Sequence, residues 1–380
     1  MAIVDEADDD PSPATSRRTK VPATRTLVPY RGRVGRSTVE VDGPPRPTIR
    51  ADRADRADEE GVMTTPDQIL VGIDGSAGGR AAIRYAIAQA QRWHADVRLV
   101  HVIPEIAPVV SASPMANLPL PVETRRVGAG LLAEAAKEAG AALGADRVST
   151  TLLAGRPVAG LVHAAPSARL VVLGDEPRPI LKRLSTGAVL GAVAAHAPAP
   201  VVAVPASWRP GEGSRRVVAA IKDCEGSVGL IARALQEAAE RDAELVLLHA
   251  WALPTAYDDL TVARLDQSEW EMTARRALEQ GVDHARARLP ERTAGLAVRI
   301  EVHHGQAARV IADAAADADL LLIGRRRHLL PEGHLGSTGR AVLRTSPCPV
   351  EVLPPDLGVV ERDGLALEHD GIFEKEKTQG

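Results

Sequence analysis

The chain has 380 residues, a formal net charge of −4 and a pI near 6.3. At roughly 100 to 200 residues per domain the length implies two domains, and the near-neutral balance excludes a global attraction to nucleic acid or to an acidic membrane. Hydrophobic residues make up 45% but aromatics only 2%, so the cores must be built from small aliphatic contacts rather than from a few large rings.

Residues 1–62 carry an acidic start, scattered prolines and the repeat "ADRADRAD" at 51–58. Such a stretch cannot bury enough apolar surface to offset its ordering entropy, and it reads as a disordered polar tail. A second reading starts translation at Met63, because "MTTPDQILVGIDGS" opens directly into a strand. No apolar run approaches the roughly 18 residues of a membrane span, and the N-terminus lacks the apolar stretch of a signal peptide. The expectation is a cytoplasmic protein with no membrane and no nucleic-acid partner. Cys224 and Cys348 are the only cysteines, too few for a disulfide scaffold, and are expected as free thiols at opposite ends of a sheet.

From Ile69 onward, short apolar runs alternate with alanine-rich segments of helical length, the pattern of a parallel α/β fold. The first copy has strands at 69–73, 97–102, 148–153, 169–174 and 200–204, with helices near 78–93, 123–143, 157–165 and 187–197. A linker, "PASWRPGEGS" at 205–214, then leads to strands at 216–221, 244–250, 297–302, 319–324 and 349–353. Helices of the second copy fall near 227–241, 264–288, 306–316 and 337–345. "LVHVIPE" matches "LLHAWALP", and "HAPAPVVAVP" matches "TSPCPVEVLP". His101 to His249 is 148 residues, Pro198 to Pro347 is 149 and Gly174 to Gly324 is 150; so steady an offset marks an internal duplication. The domains are therefore set at 67–206 and 215–355, with a polar tail at 356–380.

In an open parallel sheet ligands bind beyond the carboxyl ends of the strands. After the first strand come Asp74-Gly75-Ser76 and Gly78-Gly79; the aspartate can accept from a ribose or a base, or it can form an Asx turn and cap the next helix. No G-x-x-x-x-G-K-[ST], H-E-x-x-H, paired C-x-x-C or strand-following G-x-S-x-G occurs, which removes support for P-loop, zinc and hydrolase chemistry. His101 and His249 end the second strand of each copy, and their repetition points to a shared structural role. His303 and His304 are expected in a surface turn before a helix.

"ILVGIDGS", "LVHVIP", Gly155-Arg156-Pro157 and the twice-repeated ending in "PxPV" together resemble the universal stress protein family in tandem form. The resemblance covers about 69–204 and 216–353. It implies two doubly wound five-stranded parallel sheets of order 3-2-1-4-5, of the adenine nucleotide alpha-hydrolase-like class. Members that bind ATP carry G-x2-G-x9-G-[ST] after the fourth strand and an aspartate after the first, and act as stress or signalling modules rather than as enzymes. The copies are expected to pack as an intramolecular pseudo-dimer, and a further homodimer or another protein partner remains open.

Each copy departs from that motif. The first reads Gly174-x2-Pro177-x9-Gly187-Ala188, keeping Asp74 and the adenine-side Val102 but losing an amide at Pro177 and the hydroxyl at Ala188. The second reads Gly324-x2-Arg327-x8-Gly336-Ser337, keeping the final Gly-Ser but placing Lys222 where the first has Asp74. The nucleotide-binding candidates are thus Asp74, Val102, Gly174, Gly187, Gly324, Gly336 and Ser337. The first copy would serve adenosine and the second would capture the anion. Arg325, Arg326, Arg327 and Lys222 either gather on a phosphate or form a solvated charge run. Two functions stand: a module that binds ATP weakly or asymmetrically, or a scaffold that keeps the fold and binds no nucleotide.

Overall fold

The computed structural model describes residues 67–104, 120–176, 186–211, 213–224, 226–252, 267–289, 293, 295–325 and 335–355. The chain divides into a unit Met1–Gly61 and a unit Val62–Gly380, and every described residue lies in the second. The readings placed on the two tails, on Pro177, and on Arg326 and Arg327 fall outside the described residues.

Half one contains β1 (Gln68–Gly72), α1 (Ala77–Trp93), β2 (Asp96–Ile103), α2 (Leu120–Leu143), β3 (Val148–Ala154), α3 (Pro157–Ala164), β4 (Leu170–Asp175), α4 (Thr186–His196) and β5 (Val201–Pro205). Half two repeats the order with β6 (Arg216–Ala220), α5 (Val228–Arg241), β7 (Glu244–Trp251), α6 (Gln267–Arg286), β8 (Val298–His304), α7 (Ala307–Ala315), β9 (Leu320–Gly324), α8 (Ser337–Thr345) and β10 (Val350–Leu353). Central strands such as β1 and β9 bury Ile69, Leu70, Val71 and Leu320, Leu321, Leu322 completely, because helices cover both faces of a parallel sheet. Each half has the expected strand order, β3-β2-β1-β4-β5 and β8-β7-β6-β9-β10.

The two sheets join at their fifth strands into one ten-stranded sheet. β5 and β10 pair antiparallel, with Val350 opposite Ala203, Glu351 opposite Val202 and Val352 opposite Val201. The 149-residue offset carries Val202 onto Glu351, so the pseudo-twofold axis runs through that one pair. Because the pairing is antiparallel, the carboxyl ends of the strands of half one and half two face opposite rims of the sheet.

The faces are cemented differently. On one face α3, α4, α7 and α8 share a single apolar core that crosses the axis, including Leu161, Val193, Val201, Ile311, Val342 and Val350. On the other face α1 and α2 close one core and α5 and α6 another, and charged and aromatic side chains fill the seam between them. Glu351 (1% exposed), Glu237 (0%) and Arg233 (7%) are buried there.

Arg233 Nε donates to Glu351 Oε1 at 2.8 Å, and Glu237 pairs with both Arg233 and Arg241. Arg241 reaches across to the Tyr85 hydroxyl and to Gln89 Oε1, each at 3.0 Å, and Trp93 Nε1 donates to Glu240. The Arg169 and Arg233 guanidiniums lie 3.8 and 5.1 Å from the centroid of the Trp93 ring, within cation–π range. Burial disfavours the Arg233 charge, but the Glu351 carboxylate beside it raises its pKa above the usual arginine range; at Arg241 burial prevails and lowers it. Under the 148-residue offset Tyr85 corresponds to Arg233 and Trp93 to Arg241, so Arg241–Tyr85 and Arg233–Trp93 are one contact made twice. Half one contributes neutral rings to it and half two contributes charges.

The linker is held as well. Trp208 packs edge-on against Tyr85 at 5.1 Å, and Asp319 accepts from the backbone of Ser214 and Arg215 at 2.6 and 2.9 Å.

Candidate functional site

On the rim of half one, Asp74 Oδ1 accepts from the backbone N–H of Ser76 at 3.0 Å and from its hydroxyl at 2.5 Å. Ser76 in turn caps α1 by accepting from the Gly79 N–H at 2.9 Å. This is the Asx-turn arrangement, and Gly75 supports it with a left-handed φ of 76°. Asp74 remains exposed.

Gly174, at the end of β4, has a packing duty. A Cβ there would lie 2.1 Å from the Gly78 carbonyl carbon and 2.4 Å from the Gly79 nitrogen, so the first turn of α1 occupies the space beside this glycine. Val102 is buried in the core, with the α3 residue Gly160 against its methyls. Gly187 falls in the first turn of α4.

On the rim of half two the same positions are open. Among the described residues, a Cβ on Gly324 would meet only Leu230, at 3.6 Å, and one on Gly336 would meet nothing within 4 Å. Gly336 is the N-cap of α8, no side chain among the described residues caps that helix, and Ser337 is exposed at its first position. The difference from half one arises next door: α5 begins at Val228, while the offset places the start of α1 at 225, so the turn that crowds Gly174 is absent beside Gly324. In its place the exposed Lys222 and Asp223 and the half-buried Cys224 form an open loop.

The universal stress protein family pattern matches residues 66–205 and 213–354. The chain belongs to the universal stress protein family. A universal stress protein of Mycobacterium tuberculosis (strain ATCC 25618 / H37Rv) is 30% identical over 295 residues, covering 75% of this chain and 96% of the relative. One from Mycolicibacterium smegmatis is 29% identical over 294 residues, covering 76% and 97%. The crystal structure of a universal stress protein from Archaeoglobus fulgidus superposes with a TM-score of 0.55 at 18% identity, covering 76% of this chain and 96% of that one.

Within this universal stress protein fold the expected site residues do not converge. Asp74, Val102, Gly174 and Gly187 belong to one rim and Gly324, Gly336 and Ser337 to the opposite rim, so adenosine recognition by the first copy and anion capture by the second cannot serve one ligand molecule. Of the arginine run only Arg325 lies among the described residues. Arg325 Nη1 donates to the carbonyls of Ala197 at 3.0 Å and Ala194 at 3.3 Å, at the C-terminal end of α4 in half one, where a cation complements the helix dipole. It therefore joins the halves rather than a phosphate cluster.

His101 and His249 play matching structural parts: their Nδ1 atoms lie 2.6 and 2.9 Å from the carbonyls of Ile73 and Ile221, just past β1 and β6. His303 and His304 are not in a turn; they are the last two residues of β8, paired with Ala250 and Trp251. Among the described residues no cluster of three or more His, Cys, Asp or Glu could hold a metal ion, and no helix is long and apolar enough to cross a membrane.

Neither cysteine is in a disulfide, and the Cys224 Sγ lies 3.6 Å from His249 Nδ1. Burial pushes the Cys348 thiol up to about 11, while Cys224 is half-buried on the rim of half two. Because the thiolate is the reactive species, a maleimide at pH 7.5 should label one thiol per native chain, at Cys224, and two after denaturation. Mass spectrometry of the labelled peptides checks this; Cys348 labelling at a comparable rate would contradict it.

Proposed function

We propose that this chain is a non-catalytic universal stress protein that binds one adenine nucleotide, ATP or a close relative, in half two. Half one acts as the scaffold half, and the bound nucleotide acts through conformation or partner binding. The observation that carries this reading is the contrast between Gly174, whose space is filled by the backbone of α1, and Gly324, beside which the described residues place only Leu230. With Gly336 and Ser337 at an uncapped helix N-terminus on the same rim, backbone amides and a hydroxyl are available to phosphate oxygens. Lys222 adds an exposed cation after the neighbouring strand β6.

The Gly336 backbone, with φ −57° and ψ 169°, suits any residue, so Gly336→Val places a side chain in the phosphate space without backbone strain. Titration calorimetry should show ATP binding to the full chain that falls at least tenfold in Gly336→Val. Equal affinity in the two proteins would sink the reading.

A second reading, a scaffold without nucleotide, is favoured by one observation in half one alone. Asp74 is already engaged by Ser76 and the Gly174 space is closed.

A further inference from the structure

The ten-stranded sheet ends at β3 on one side and at β8 on the other, and the two edges are built differently. β3 reads "VSTTLLA" from Val148 to Ala154, without a charge, and Ser149, Thr150 and Leu152 are exposed along it. β8 carries Arg299, Glu301 and His303. Arg299 Nε donates to Glu244 at 2.9 Å, and Glu301 lies within 3.8 Å of Arg216, Arg299 and His303. Charged side chains keep a sheet edge from pairing with another chain. β8 has that protection and β3 does not, and among the described residues no strand pairs with the outer side of β3.

The helix beside each edge repeats the contrast. α2 packs on β2 and β3 about equally, with Gly128 against His101 and Leu152 and with Leu132, Ala135 and Ala139 buried. Leu131 reaches the turn at Gly75, toward the middle of the sheet. At 3.6 residues per turn the opposite flank, turned toward the open edge, holds Ala129, Ala133, Ala136 and Gly140. Aligning the buried Leu132 and Ala139 with Leu278 and Ala285 of α6 puts Arg275, Glu279, Val282 and Arg286 on the matching flank of half two. One edge is neutral and narrow, the other charged and bulky.

We infer that the β3 edge is the contact surface for a second copy of this chain. The two β3 strands pair antiparallel about Thr151, and the two α2 helices pack through Ala129 and Ala133. Twofold pairing of Val148–Ala154 with itself sets Thr151 against Thr151 and Thr150 against Leu152, a match without charge repulsion. The same pairing of Val298–His304 would set Glu301 against Glu301.

The spacing of the layers favours a whole copy over a foreign extended segment. Paired strands lie about 4.8 Å apart, and a helix centred between β2 and β3 sits about half that distance inside the edge, so the two copies of α2 would lie about 10 Å apart. Helices pack at about 8 to 10 Å, and alanine flanks permit that approach. A single added strand would leave the alanine flank in water. The contact is isologous and closes as a dimer, with the rims of half two free in both copies. It is independent of nucleotide binding.

The test is sedimentation equilibrium of the full chain up to about 100 μM, where a species of twice the 40.1 kDa chain mass is expected. Ala133→Arg and Thr150→Lys alter exposed positions and set like charges across the axis, and each should raise the dimer dissociation constant about a hundredfold. Glu279→Ala, on the flank of half two, should leave it unchanged. Circular dichroism and urea midpoints like those of the native chain show that the variants fold. A native chain that stays monomeric overturns the inference. So does a dimer that survives either Ala133→Arg or Thr150→Lys, or one that dissociates in Glu279→Ala.

Discussion

Gly174→Ala is expected to destabilise the protein by about 3 kcal/mol, the upper end of the cost of overpacking, whereas Gly324→Ala should stay within about 0.5 kcal/mol of the native chain. The two glycines occupy matching positions at the ends of β4 and β9. A methyl on Gly174 would stand 2.1 Å from the carbonyl carbon of Gly78 and 2.3 Å from its oxygen, and neither backbone can yield without moving α1 off the sheet. A methyl on Gly324 would make only ordinary contact with Leu230. Urea denaturation of the two variants checks the contrast. Similar midpoints would mean that α1 does not crowd β4, and would remove the ground for treating half one as scaffold.

The seam gives the second large effect. Glu351→Ala leaves the buried Arg233 with one fewer counter-charge and should cost about 3 kcal/mol, the range found when one partner of a buried ion pair is removed. Arg233→Met alone should be similarly damaging, because it strands Glu351. Combining Arg233→Met with Glu351→Val, which restores the valine that half one carries at this position on the axis, should recover at least about 1 kcal/mol relative to the sum of the singles. Additive effects in denaturant titrations would show that the pair is not coupled. The same residues forbid a symmetric pairing of half two with itself: Glu351 lies on the axis and would meet its own copy. The neutral Val202, Tyr85 and Trp93 of half one supply the matching surface.

Much of the fold was legible because strand and helix periods are local properties. The run at 69–73 and its partner at 216–221 read as strands from their aliphatic content, and the repeated proline endings exposed the duplication. The joining of the two sheets was not legible, because β5 and β10 have the same aliphatic look as interior strands. Within "PVEVL", Glu351 reads as an ordinary polar position in an alternating strand. Only the arrival of Arg233 from α5, 118 residues earlier in the chain, makes it a buried charge.

The candidate site was legible in composition but not in geometry. Asp74 and Ser337 were both visible as chemistry at strand ends, yet their separation onto opposite rims depends on the antiparallel contact of β5 with β10. Gly174 and Gly324 are the same letter in the same motif, and only the later start of α5 distinguishes them. Arg325 looked like part of a phosphate-binding run because nothing local shows that the α4 carbonyls lie within its reach. The pairing of Trp251 with Trp270 carried a signal that could have been used: two of only four tryptophans fall in the second copy, one ending β7 and one in the first turn of α6.

The measurement that bears most directly on the asymmetry of the two halves is native mass spectrometry of the full chain titrated with ATP, alongside Asp74→Asn and Gly336→Val. One bound nucleotide per chain is expected, retained in Asp74→Asn and lost in Gly336→Val. Two bound nucleotides would show that half one binds as well, and a single one lost in Asp74→Asn and kept in Gly336→Val would place the site in half one; either contradicts the assignment.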